Sequence, residues 1–184
     1  LKFMMDQARK GKEGGYYVRV ALGVTGDHRA LELLKELVKT DYAEPSLQEY
    51  AIQGLARFGD TGAEAIITLF EDERVQAHGS FKNSWLFWLG QTTSERAVGF
   101  LMDVIKKAPV DSGNFHSYIN GLRMTVTRSS FLHNPDIPVQ TKIERASRVR
   151  NFLMNYQQTK GLDASVRQEI DRAIRSIDGA VRYI

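Results

Sequence analysis

Arg57-Phe58-Gly59-Asp60-Thr61-Gly62-Ala63-Glu64-Ala65-Ile66-Ile67-Thr68-Leu69-Phe70 reads as the end of one helix, a turn and the opening of a second helix. A glycine accepts the left-handed conformation that closes a helix. Asp60 or Thr61 then offers a side-chain oxygen to the free amides of the next first turn, so Asp60→Ala is expected to cost about 1 kcal/mol. Ile66, Ile67, Leu69 and Phe70 supply the apolar side of that second helix.

The same grammar recurs on either side. Upstream it is Leu22-Gly23-Val24-Thr25-Gly26-Asp27-His28-Arg29-Ala30-Leu31-Glu32-Leu33-Leu34. Downstream it is Leu86-Phe87-Trp88-Leu89-Gly90-Gln91, followed by Ser94-Glu95-Arg96-Ala97-Val98-Gly99-Phe100-Leu101. Gly26, Gly59 and Gly90 recur at about 30 residues, the spacing of helix-pair repeats. Aligned on these glycines, the third copy departs from the pattern: the capping aspartate is replaced at Gln91, and three extra residues, Gln91 to Thr93, lengthen the turn before Ser94.

Helix pairs with a Gly-Asp turn inside each pair resemble the HEAT-like repeats of bacterial proteins. The residues that carry the likeness are Leu55, Phe58, Gly59, Asp60, Ala65, Ile66 and Leu69, with Leu22, Gly26, Asp27, Ala30, Leu31 and Leu34 before them. Leu86, Leu89, Gly90, Ala97, Val98 and Leu101 follow. The resemblance implies an all-α fold, a right-handed α-α superhelix built as one solenoid. Its repeats would span 16–40, 45–72 and 80–108, with a divergent repeat at 113–160 and a C-terminal helix at 163–184. Residues 1–15 would be the second helix of an incomplete repeat, because Phe3-Met4-Met5-Asp6 echoes Phe100-Leu101-Met102-Asp103. The chain is therefore expected to belong to a larger protein, with some of Leu1, Phe3, Met4 and Met5 left uncovered.

Composition is that of a folded chain, 42% hydrophobic and 26% charged, with no apolar run long enough to span a bilayer. The absence of cysteine excludes disulfides, thiolate metal sites and a cysteine nucleophile, and leaves the compartment open. The net charge of +3 is uneven: residues 1–119 hold 14 basic and 16 acidic side chains, and residues 120–184 hold 11 and 6. The basic excess makes Arg123, Arg128, Arg145, Arg148 and Arg150 a candidate patch for an anionic partner, or else a solvated face. Glu71-Asp72-Glu73, against the negative end of a helix, reads as a cation-binding rim or a frayed end. Ser129 to Pro138 reads as a long loop.

No catalytic constellation stands out. His28, His78, His116 and His133 lack the repeated His-Glu pairing that hydroxylases of similar architecture use, so no metal or cofactor is expected. The function implied by the resemblance is a non-catalytic scaffold that binds another protein or another domain. Its concave side would present the second helices through Glu32, Lys35, Glu64, Thr68, Asp103 and Lys106. Trp85 and Trp88, with Phe81 at i, i+4 and i+7, form either an exposed aromatic stripe or a repacked third repeat. The alternative is a nucleic-acid binder resembling the DNA-repair glycosylases built of such repeats, using the basic C-terminal helices.

Overall fold

The computed structural model describes residues 1–10, 15–78, 82–108, 114–159 and 161–184, and these residues are all-helical. The helices are α1 (Lys2–Lys10), α2 (Gly15–Val24), α3 (His28–Thr40), α4 (Pro45–Leu55), α5 (Gly59–Glu71) and α6 (Glu73–His78). They continue as α7 (Lys82–Gln91), α8 (Glu95–Lys107), α9 (Phe115–Thr127), α10 (Ser129–Leu132), α11 (Val139–Gln157) and α12 (Ala164–Val181). Among the described residues none of these helices is long and apolar enough to cross a membrane. Phe81, the first member of the expected aromatic stripe, lies outside the described residues.

Two rows of helices run through the molecule. In one, α2 packs on α4, α4 on α7, α7 on α9 and α9 on α12; in the other, α3 meets α5 and α5 meets α8. Each helix of the second row buries an alternation set by its 3.6-residue period: Leu31, Leu34 and Val38 in α3, Ala63, Ile66 and Ile67 in α5, Val98, Leu101 and Ile105 in α8. Leu22, Leu55, Leu89 and Leu122 close the core from the first row, each fully buried.

The first-row helices touch backbone to backbone at two crossings. A Cβ on Gly23 would lie 2.1 Å from the Gly54 carbonyl oxygen, and one on Gly54 would lie 2.4 Å from the Arg19 carbonyl oxygen. A Cβ on Gly90 would lie 2.0 Å from the Gly121 oxygen, and one on Gly121 would lie 2.4 Å from the Leu86 oxygen. Both crossings therefore need two glycines, and Gly23 with Gly54 matches Gly90 with Gly121 residue for residue.

The turns after these crossings match as well. The Thr25 hydroxyl donates to the Leu22 carbonyl at 2.7 Å, as the Thr92 hydroxyl does to Leu89 at 2.7 Å. The amides of Asp27 and Ser94 each donate back to those hydroxyls at 3.3 Å. Gly26 (φ 64°) and Thr93 (φ 56°) hold the same left-handed position. Asp27 accepts from the Arg29 amide at 2.8 Å and Ser94 from the Arg96 amide at 3.2 Å. The register that aligned Gly90 with Gly26 is thus three residues out: Gly90 corresponds to Gly23, Thr93 to Gly26 and Ser94 to Asp27, with no extra residues between.

The central turn differs from the sequence expectation too. After α4 the chain makes a 3-10 turn over Ala56–Phe58, and Gly59 takes φ 59°. Neither Asp60 nor Thr61 caps α5; Asp60 lies in the first turn, and the Thr61 hydroxyl donates to the Phe58 carbonyl at 3.0 Å. With Gly59 already inside the helix, Asp60 comes too late to reach the free amides. Asp163 does cap α12, through the Ser165 amide at 2.7 Å.

Two further readings are corrected. Asp72 is the start of a helix, accepting from the Arg74 amide at 3.0 Å before α6 and pairing with Lys39 at 3.2 Å. The Lys39 ammonium, first, and the backbone amides hold its carboxyl below the usual range. The 129–138 loop contains the helical turn α10, in which Phe131 is fully buried. At the N-terminus Phe3 is 74% exposed and Leu1 36%, while Met4 and Met5 lie half-buried against the core.

Arg19 is the least expected member of the core. Its side chain is fully buried, and it ties three helices together. Nε and Nη2 donate to the Ala8 carbonyl in the last turn of α1 at 3.2 and 3.0 Å, Nη1 donates to the Leu47 carbonyl at 2.9 Å, and the charge meets Asp41 at 2.5 Å.

Thermal or denaturant unfolding checks these assignments. Gly54→Ala should cost about 2 kcal/mol by overpacking the crossing. Gly99→Ala, at an exposed helical position with nothing near the added methyl, should gain about 0.5–1 kcal/mol. Ser94→Ala should lose about 1 kcal/mol of capping, whereas Asp60→Ala should leave stability unchanged to within about 0.5 kcal/mol.

Candidate functional site

The turns that end the first-row helices meet along one edge and enclose a groove of about 430 Å³. It is lined by Val24 at the end of α2, Gln53 of α4, Arg57 in the turn after it, Trp88 and Gln91 of α7, and Arg128 just after α9. Thr92, Thr93 and Ser130 also line it. The Gly23–Gly54 crossing positions Arg57 directly, because a Cβ on Gly23 would come within 3.0 Å of Arg57 Cβ.

The groove has both apolar and cationic character. Val24 is 70% exposed, and Trp88 is half-buried with its ring edge-on to Phe87 at 5.2 Å. The Trp88 indole N–H donates to Glu49 Oε1 at 3.1 Å, which fixes the ring and engages that carboxylate. Arg57 and Arg128 are both exposed, and among the described residues neither guanidinium makes an ion pair or hydrogen bond. Two guanidinium groups with free donors therefore line one concave surface beside an indole and two primary amides.

The other arginines of the expected basic patch go elsewhere. Arg145 is largely buried: its Nη1 donates to the Thr93 carbonyl at 2.6 Å, and its guanidinium lies over the Phe131 ring at 4.6 Å. Its Nε stands 2.9 Å from Glu95 Oε2, within ion-pair distance although the N–H is not aimed at the oxygen. Burial, first, lowers its affinity for the proton, and the Glu95 charge opposes that shift. Arg148 pairs with the same Glu95. Arg150 turns to Asp178 on α12 at 2.6 Å, and Arg123 to Asn120 at 2.5 Å and to Ser176 at 3.2 Å. The five arginines are spread over three surroundings, and only Arg128 reaches the groove.

The second-helix residues face solvent in pairs. Lys35 bonds Glu32 at 2.9 Å, Arg96 bonds Glu64 at 2.5 Å, and Lys106 meets Asp103 at 3.4 Å; Thr68 is exposed between them in chain order. Exposed pairs of this kind contribute about 0–1 kcal/mol and leave little unspent charge for a ligand. Trp85 and Trp88 part company. Trp85 is fully buried, and its indole N–H has no partner among the described residues; Trp88 reaches the groove. The stripe through Trp85, Trp88 and Phe81 is not a surface feature at Trp85.

Sequence reasoning missed Arg57 and Gln53 as site residues. The signal was present in the positions 24, 57, 91 and 128, each at or just past the end of a first-row helix, where the turns converge. Among the described residues no three histidine, aspartate or glutamate side chains gather as ligands for a metal ion. No protein-family model matches the chain, and comparison with curated proteins and with solved structures gives no match.

Proposed function

We propose that this chain is a right-handed superhelix of HEAT-like helix pairs that acts as a non-catalytic scaffold, binding another protein along the edge where its first-row helices end. The groove bearing Val24, Trp88, Arg57 and Arg128 is the observation that carries this reading. Supporting the architecture, first-row helices pack in series, and the crossing, threonine turn and capped start of the next helix recur from Gly23 to Gly90. Stacked pairs of this kind bury a core that one pair cannot, and leave an extended surface for recognition.

Binding of nucleic acid is the weaker reading. A phosphate-tracking surface needs free cations in register over several repeats. Here Arg96, Arg145, Arg148 and Arg150 are already committed to carboxylates of the same chain.

A chain without cysteine allows one fluorophore to be placed by a single substitution. Val24→Cys labels the groove and Thr68→Cys labels the second-row face. Peptides enriched from a display library on the immobilised protein should shift the Val24 label and leave the Thr68 label unchanged. Enrichment of no peptide, together with oligonucleotide binding that weakens steeply with salt, would replace the scaffold reading by the nucleic-acid one.

A further inference from the structure

We infer that the groove takes an extended, acidic polypeptide segment, with carboxylates on Arg57 and Arg128 and an apolar side chain between them against Val24 and Trp88. The inference rests on the scaffold reading and adds the chemistry of the partner. Arg57 and Arg128 come from different helices, line the same concavity, and have no acidic partner among the described residues. Exposed Arg29, Arg96 and Arg148 are neutralised by Asp27, Glu64 and Glu95; Arg74, Arg175 and Arg182 also lack a carboxylate among the described residues, but only Arg57 and Arg128 line the groove. A carboxylate matches the planar guanidinium fork in a bidentate bond, which is short and strong.

The rest of the lining favours polypeptide over polyanion. α2, α4, α7 and α9 all end here, and the partial negative charge at the C-terminal end of a helix disfavours a continuous run of phosphates more than single carboxylates spaced along a peptide. Gln53 and Gln91 each offer a donor and an acceptor, the complement of one peptide unit. The exposed Val24 and the immobilised Trp88 ring supply apolar area for a side chain placed between the two charges.

The test is a pair of selections from one random peptide-display library, on the wild-type chain and on Arg57→Glu/Arg128→Glu, with an oligonucleotide pool run alongside. Circular dichroism and unfolding of the variant establish that it is folded; both residues are exposed, so no loss of structure is expected. Wild type should enrich peptides with two Asp or Glu residues flanking an apolar one. These should bind the variant about a hundredfold more weakly, roughly tenfold for each charge-assisted contact removed. The variant should instead enrich Lys- or Arg-bearing peptides. Enriched peptides without acidic residues, or equal binding to both proteins, would overturn the acidic partner while the scaffold reading stands. No enrichment on either protein would overturn both. Oligonucleotides bound through Arg57 and Arg128 would overturn both in favour of nucleic acid.

Discussion

The contact of backbone on backbone at Gly23–Gly54 and Gly90–Gly121 is the constraint from which most of this structure follows. Helices carrying ordinary side chains pack with their axes about 8–10 Å apart, whereas paired glycines let the main chains meet. At each of these crossings an added methyl would overlap a carbonyl oxygen, not the flexible end of a side chain, so no rotamer change can relieve it. The two crossings join α2 to α4 and α7 to α9. They also bring the turns that follow these helices to one edge, and the Arg57 stem passes over Gly23 for the same reason.

Around that contact the two halves solve the neighbouring position differently. Leu86 takes the place in α7 that Arg19 takes in α2, and both are fully buried. The leucine needs only apolar neighbours. The arginine needs partners for its charge, since burying a charge without them costs several kcal/mol. Two carbonyls and the Asp41 carboxylate give each guanidinium nitrogen a partner, and the Ala8 carbonyl couples α1 to the rest of the core. Gln48, likewise buried, donates to the Val38 carbonyl at 2.8 Å and joins α3 to α4 in the same region.

The helices were legible because their signals are local. The expected repeat spans enclose α2 to α5 to within one residue and the C-terminal span encloses α12, and Pro45 stands at the first position of α4, where its missing amide costs nothing. Register was harder. Gly26, Gly59 and Gly90 look alike as letters but do three different things: a left-handed turn, a left-handed helix start and a helix crossing. Only the tertiary contact separates them, and it shows that Thr93, a residue that disfavours positive φ, stands where Gly26 does. The candidate site was half legible. Trp88 and Arg128 could be singled out by type, yet their meeting with Arg57 depends on how helices distant in sequence stack. Trp85 was ambiguous because i, i+3 and i+4 neighbours on one helix share a face only in part, and the core claimed it. The buried Arg145 shows the same limit, since an arginine on an amphipathic helix gives no sign in sequence that a carbonyl and an aromatic ring await it.

If the glycine crossings organise the fold, they should also be its last parts to open. Residue-resolved native-state hydrogen exchange measures this directly, because amides of the most stable unit exchange only through global unfolding. The account predicts the slowest exchange at Leu22, Ile52 to Leu55, Leu86 to Leu89 and Ile119 to Leu122, with α1 and α6 opening first. Slowest exchange confined to α3, α5 and α8, with the crossing residues opening as readily as α1, would contradict it.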